Sequence, residues 1–190
     1  MITIYQKIQK VETLQYEVDR QISTFKRRVD IDCVTHCAAC CAYPDVQASA
    51  LEFLPFAYHA FKLGFLDQWY EEIDQNRSPL CVFRKDHKDS WGCRIYPVRG
   101  LICRLFGFSA VTDKNNKPKF AACRIIKASK PENSLKVNEF VAKGGKIPII
   151  PNLYRKLSAI DPGLGNEFLP INQAMKKALE IIYFNYIYSR

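Results

Sequence analysis

Histidine is scarce in this chain, and so are methionine and tryptophan: three, two and two among 190 residues. A metal site built on imidazole has little to draw on. Long apolar runs are missing too. A membrane helix needs roughly 18 or more uncharged apolar residues in a row. The densest stretch, residues 51–66, is interrupted by Glu52, Pro55, His59 and Lys62. The first residues, MITIYQKIQKVET, are charged every few positions. They lack the apolar segment and the small-residue cleavage site of a secretory signal. These two absences lead to the expectation of a cytoplasmic chain with no membrane partner. Acid is short as well, with 19 Asp and Glu against 28 Lys and Arg, a net +9. With 48% hydrophobic and 25% charged residues and no repeat, disordered and collagen-like chains are excluded. A chain of this length buries a core unaided and reads as one domain.

What the sequence does have is cysteine, eight in all. Without an export signal these thiols are expected to stay reduced, which argues against a disulfide framework. A metal site, a redox centre and buried thiols remain open. The first run is Cys33-Val-Thr-His-Cys37-Ala-Ala-Cys40-Cys41. If it is helical, at about 100° per residue, its four thiols fall within an arc of roughly 100°. Four sulfurs on one face are prone to oxidation and fill space poorly, so they point to a metal. The adjacent pair Cys40-Cys41 is awkward for a single ion, because neighbouring side chains diverge. It is easier to explain if the two serve different metals or if one only supports the site. His36 reads as solvent-facing or supporting rather than as a ligand.

Cys81, Cys93, Cys103 and Cys123 follow, and the last three each precede an arginine: Arg94, Arg104 and Arg124. Residues 81–124 hold ten Lys and Arg against three Asp and Glu. Nearby arginine favours thiolate over thiol, as a sulfur-rich site requires. Alternating Cys and Arg would also arise in a strand with one side in and one side out. All-sulfur ligation fits a four-thiolate zinc site or an iron–sulfur cluster. The spacing C-x3-C-x2-C is also used by radical-SAM enzymes, but the strand–helix alternation of their barrel is missing.

The expected fold is α+β: a helix-rich single domain with a small antiparallel sheet, its halves joined by a cysteine-ligated metal site. Residues 1–30 form an N-terminal amphipathic helix, with Ile4, Ile8, Val11, Val18, Ile22, Phe25 and Val29 at helical spacing. It reads as a helix packed on the domain rather than a coiled-coil seam. Residues 31–126 form the cysteine-cluster domain. Within it, a helix over 45–64, kinked or broken in two at Pro55, and a short one over 66–75 are expected. Strands are expected over 80–84, 91–96, 104–112 and 119–126, with the turn DKNNKP as a hairpin signal. Residues 127–190 form a helical extension packed on the same domain, with helices near 153–160 and over 172–186. His59 reads as a core residue, and His87 as part of an exposed turn. Glu71, Glu72 and Asp74 read as a solvated face, and Gly144-Gly145 as a plain turn. From Lys127 the basic residues are dispersed and no nucleic-acid module is recognisable, so nucleic acid is not an expected partner.

The run 33–41, then Cys81-Val-Phe, then Cys93-Arg-Ile-Tyr96-Pro-Val-Arg99-Gly-Leu-Ile-Cys103-Arg104-Leu-Phe, resembles the YkgJ-type CxxCxxCC cysteine-cluster family, a zinc- or iron-chelating domain. The resemblance spans roughly residues 33–124. It implies metal binding through Cys37, Cys40, Cys41, Cys81, Cys93 and Cys103, with Cys33 and Cys123 as further candidates. Two departures stand out. The first spacing is three residues instead of two, and Gly100 replaces the usual proline, which should loosen the turn that aims Cys103. Tyr96, Arg99 and Arg104 lie inside the motif and are candidates for contacting the cofactor or an anionic ligand. An iron–sulfur cluster is slightly favoured over zinc. An anionic small molecule or a protein is the further partner to expect. A related domain in flagellin lysine methylases implies an alternative, a redox or SAM-dependent methyl-transfer enzyme, for which no catalytic residue stands out. The third reading is a zinc-stabilised interaction module.

Overall fold

The computed structural model describes residues 2–33, 37–85, 92–129 and 131–186, without the side chains of 129 and 131–134. His36, His87 and the turn around 86–91 lie outside the described residues.

Helix α1 (Ile4–Val29) is the long N-terminal helix expected from periodicity. Thr3 starts it with a reciprocal cap: its hydroxyl accepts from the Gln6 N–H at 3.2 Å, and the Gln6 side chain accepts from the Thr3 N–H at 2.9 Å. Asp30, in the left-handed region, closes it, with Lys26, Arg27 and Arg28 complementing the helix dipole in the last turn. Ile8, Val11, Val18, Ile22, Phe25 and Val29 are all buried, so the apolar stripe faces the protein's own core.

The cysteine run is not an α-helix where it is described: Ala39–Ala42 forms a single 3-10 turn. After it come strand β1 (Gln47–Ser49), a 3-10 turn over Leu51–Phe53, and helices α2 (Leu54–Leu63) and α3 (Leu66–Gln75). The helix expected from residue 45 begins only at Leu54, behind a strand and a 3-10 turn, so the proline neither kinks nor splits a longer helix. Pro55 sits in the first turn of α2, where its missing N–H costs nothing.

The next segment departs most from expectation. β2 (Arg84–Lys85) and β3 (Gly92–Cys93) make a minimal ribbon. Helix α4 (Leu101–Leu105) replaces the start of the third expected strand, leaving only β4 (Ala110–Thr112), paired with β5 (Pro118–Phe120). Helix α5 (Arg124–Ser129) replaces the end of the fourth. Then follow α6 (Pro131–Ala142), α7 (Ile150–Ser158), the short turn α8 (Pro162–Gly165), β6 (Phe168–Pro170) and α9 (Ile171–Tyr186). Among the described residues there is no single sheet. Three two-stranded antiparallel ribbons take its place, and one joins β1 to the distant β6. Class α+β holds, with the strands reduced to pins between helices.

Helices α1, α2, α3 and α9 enclose a core rich in Phe53, Phe56, Phe83, Leu54, Met175 and Leu179. From α9, Asn172 reaches the loop that carries Cys81. Its Oδ1 accepts from the Val82 N–H at 3.1 Å, and its Nδ2 donates to the Leu80 carbonyl at 2.8 Å. The C-terminal helix thus positions a cysteine about ninety residues earlier.

Candidate metal centre

Seven of the eight cysteines line one cavity of about 530 Å³, between the C-terminal half of α1 and the turn at Tyr96–Arg99. All eight are free thiols. The early run and the later ribbon meet through the backbone, where the Cys81 N–H donates to the Cys41 carbonyl at 3.2 Å. The side chains meet as well. Cys41 is 7% exposed, and its thiol lies near those of Cys40, Cys81 and Cys93. The Cys40 and Cys41 sulfurs are 4.0 Å apart. The two sulfurs lie this close although a 3-10 turn, with three residues per turn, spreads neighbouring side chains by about 120°. Cys93 enters from β3, opposite Arg84. Cys103 comes from α4, and Cys37 and Cys33 from the loop after α1. Cys123 does not line the cavity: its sulfur accepts from the Ile126 N–H at 3.4 Å, at the start of α5, and acts electrostatically on Cys33.

The thiols differ in acidity. The hydrogen bond from Cys41 draws Cys40 down to about 7, against the burial that opposes it, with Arg99 adding a smaller pull. Cys81 and Cys93 are lowered chiefly by the same donor. Cys41 pays in kind: hydrogen bonds to these three sulfurs hold its own proton well above the usual thiol range. Burial raises Cys103 well above that range. Cys33 is exposed as a residue, but partial burial of its sulfur against Cys37 pushes it up to about 12. In the metal-free, reduced protein, iodoacetamide alkylation of Cys40 should therefore rise through pH about 7. Peptide mapping across pH reads this directly. Because the folded value is depressed, the stabilisation is complete above the ordinary thiol range and is lost as pH falls through about 7.

Of the candidate cofactor contacts, Arg99 faces the sulfurs. It stacks on the Tyr96 ring at 3.8 Å, donates to the Tyr96 carbonyl at 2.7 Å, and acts electrostatically on Cys40 and Cys93. Arg104 is a buried brace. It pairs with Asp19 of α1 and donates to the carbonyls of Pro97 at 2.8 Å and Arg99 at 3.1 Å. Arg94 turns outward to Glu72 and the Val82 carbonyl, and Arg124 is exposed. Arg99 thus acts on Cys40 and Cys93 and Arg104 on its neighbour Cys103, while Arg94 and Arg124 turn to other partners or to solvent.

Sequence reasoning missed Glu52. It is 0% exposed and sits behind α4. One carboxylate oxygen accepts from the Ser49 N–H at 3.0 Å and the Tyr154 hydroxyl at 3.1 Å. The other accepts from the Ile102 N–H at 2.8 Å, in the first turn of the helix that presents Cys103. Burial raises this carboxyl above its ordinary value despite those donors. The available signal was a lone acid inside the apolar run 51–57. Gly100 belongs to the same arrangement. Its φ of −63° would admit any residue, so conformation is not what calls for glycine here. Space is: a Cβ would lie 2.6 Å from the Phe53 ring and 3.0 Å from Glu52 Oε2. The turn before Cys103 is thus tightly packed, not loosened. Gly100→Ala should cost about 1–3 kcal/mol, read as a shift in the urea midpoint.

The donor set suits a soft ion. A tetrahedral site with bonds of about 2.3 Å has sulfur–sulfur edges of about 3.8 Å, close to the Cys40–Cys41 separation. Among the described residues no three Cys, His, Asp or Glu side chains already stand at the spacing of a bound ion. The family described as CxxCxxCC, "Putative zinc- or iron-chelating domain", matches residues 32–134, just over half of the chain. The chain belongs to the CxxCxxCC family. No curated protein and no solved structure matches it. As a CxxCxxCC protein it carries a zinc- or iron-chelating domain with clustered cysteines. Among its described residues no helix is long and apolar enough to cross a membrane.

Proposed function

We propose that this CxxCxxCC protein binds a single tetrahedral ion through Cys40, Cys41, Cys81 and Cys93, in the reducing cytoplasm. The convergence of these four cysteines on one cavity, with the Cys40 and Cys41 sulfurs 4.0 Å apart, carries this reading. When bound, the ion would supply a structural cross-link between the early run and the later ribbon. Arg99 offsets part of the thiolate charge, and Arg104 holds the turn that carries Arg99. Zinc suits the arrangement, since Cys40 and Cys41 are spaced as two ligands of one ion. An iron–sulfur cluster is the second reading. It is favoured by Cys37 and Cys103, which border the same cavity and exceed what one ion needs.

Anaerobic purification followed by metal and acid-labile sulfide analysis tests the proposal. The first reading expects a colourless protein with one equivalent of zinc and no sulfide. A brown protein containing iron and sulfide selects the second. Purified protein that takes up neither metal overturns both. Chelation should also lower the melting temperature, because ions that bind only the folded chain stabilise it.

A further inference from the structure

We infer that Cys33 and Cys37 are a loading station, which captures the ion at the surface and hands it inward, rather than ligands of the finished centre. This rests on the reading that Cys40, Cys41, Cys81 and Cys93 hold the ion.

The sulfurs form a series along one cavity. Cys33 is exposed, Cys37, Cys40 and Cys93 are half-buried, and Cys41 and Cys81 are each 7% exposed. Neighbours in the series interact. The Cys33 sulfur acts on that of Cys37 and lies within electrostatic reach of Cys123 and Cys40. Cys40 meets Cys41 at 4.0 Å, and Cys41 lies near Cys81 and Cys93. Asp30 and Asp32 line the same cavity together with Lys26 and Arg27; Asp32 accepts from the Cys33 N–H at 2.7 Å and pairs with Lys26 at 2.5 Å. A metal complex arriving from solvent meets the two outer thiols first.

The chemistry is ligand exchange. An incoming thiol loses its proton to solvent as its sulfur bonds the ion, and the departing thiolate takes a proton up. No electrons move, and the ion is never released free into solvent. Four inner thiolates complete a tetrahedral shell, so Cys33 and Cys37 are left unbound once loading ends. The cargo is a soft divalent cation, delivered as a complex of a small chelator or thiol.

The test uses the full chain and zinc held by a chromophoric chelator. The Cys33→Ser/Cys37→Ser variant should reach the same final zinc content as the parent. Its transfer from the chelator should be slower by roughly tenfold, because the accessible thiols that begin the exchange are gone. At alkaline pH, loading should protect Cys40, Cys41, Cys81 and Cys93 from iodoacetamide and leave the modification rates of Cys33 and Cys37 as they are in the metal-free protein. Loading at the parental rate, a lower final zinc content, or protection of Cys33 and Cys37 in the loaded parent would each overturn the inference. Should the double variant fail to fold by circular dichroism, Cys33→Ser alone reads the same rate. The underlying reading fails separately, if Cys81→Ser keeps full zinc content.

Discussion

Cys41→Ala is expected to strip the protein of its metal. Cys41 is buried, with its sulfur 4.0 Å from that of Cys40 and near those of Cys81 and Cys93. Its backbone carbonyl also holds the Cys81 loop, so the side chain can be removed while that backbone link stays in place. Loss of an outer supporting partner typically costs a metal site about 10–100-fold in affinity, and loss of a ligand itself should cost more. Competition with a chelator of known affinity measures the fall. Cys123→Ala is the control: its sulfur lies off the cavity and serves α5, so metal content should be unchanged. Retention of tight binding by Cys41→Ala would contradict the assignment.

Glu52→Ala is expected to be the most destabilising change away from the sulfurs. It would leave the Ser49 N–H, the Ile102 N–H and the Tyr154 hydroxyl without their acceptor in a fully buried place. Each orphaned donor costs about 1–3 kcal/mol, and the cavity adds to that, so a loss of roughly 4 kcal/mol or more is expected by urea unfolding. Glu52→Gln keeps the volume and one oxygen and should cost less. The pH dependence separates charge from shape. Burial raises the folded carboxyl above its unfolded value. Its contribution is therefore complete below the ordinary carboxylate range and is lost as pH rises through the raised value. The parent should show that decline and Glu52→Gln should not. Because Glu52 caps the helix carrying Cys103, Glu52→Ala should also displace that sulfur.

Legibility varied along the chain for physical reasons. Helix α1 was readable because its apolar positions recur over many turns and its ends carry their own signals, Thr3 with Gln6 and the basic last turn. Helix α9 was readable for the same reason of period. The stretch 101–105 was not. Leu-Ile-Cys-Arg-Leu suits a strand by composition, and it is helical because Glu52, distant in sequence, caps its first turn. The 123–129 segment went wrong at the same scale, too short for a period to show. The cysteines were legible as a group from spacing and motif. Their internal arrangement was not, since the 4.0 Å approach of Cys40 to Cys41 runs against the divergence of neighbouring side chains and no spacing rule encodes it. Arg104 was singled out for its neighbour Cys103, yet its partners lie on α1 and in the 97–99 turn.

X-ray absorption at the metal edge, on the parent protein beside Cys81→Ser, tests the shared centre most directly. The account predicts four sulfur neighbours at about 2.3 Å in the parent, and one sulfur fewer, or no bound metal, in Cys81→Ser. A parent shell containing nitrogen or oxygen ligands, or a shell left unaltered by Cys81→Ser, would show that the early run and the later ribbon do not hold the same ion.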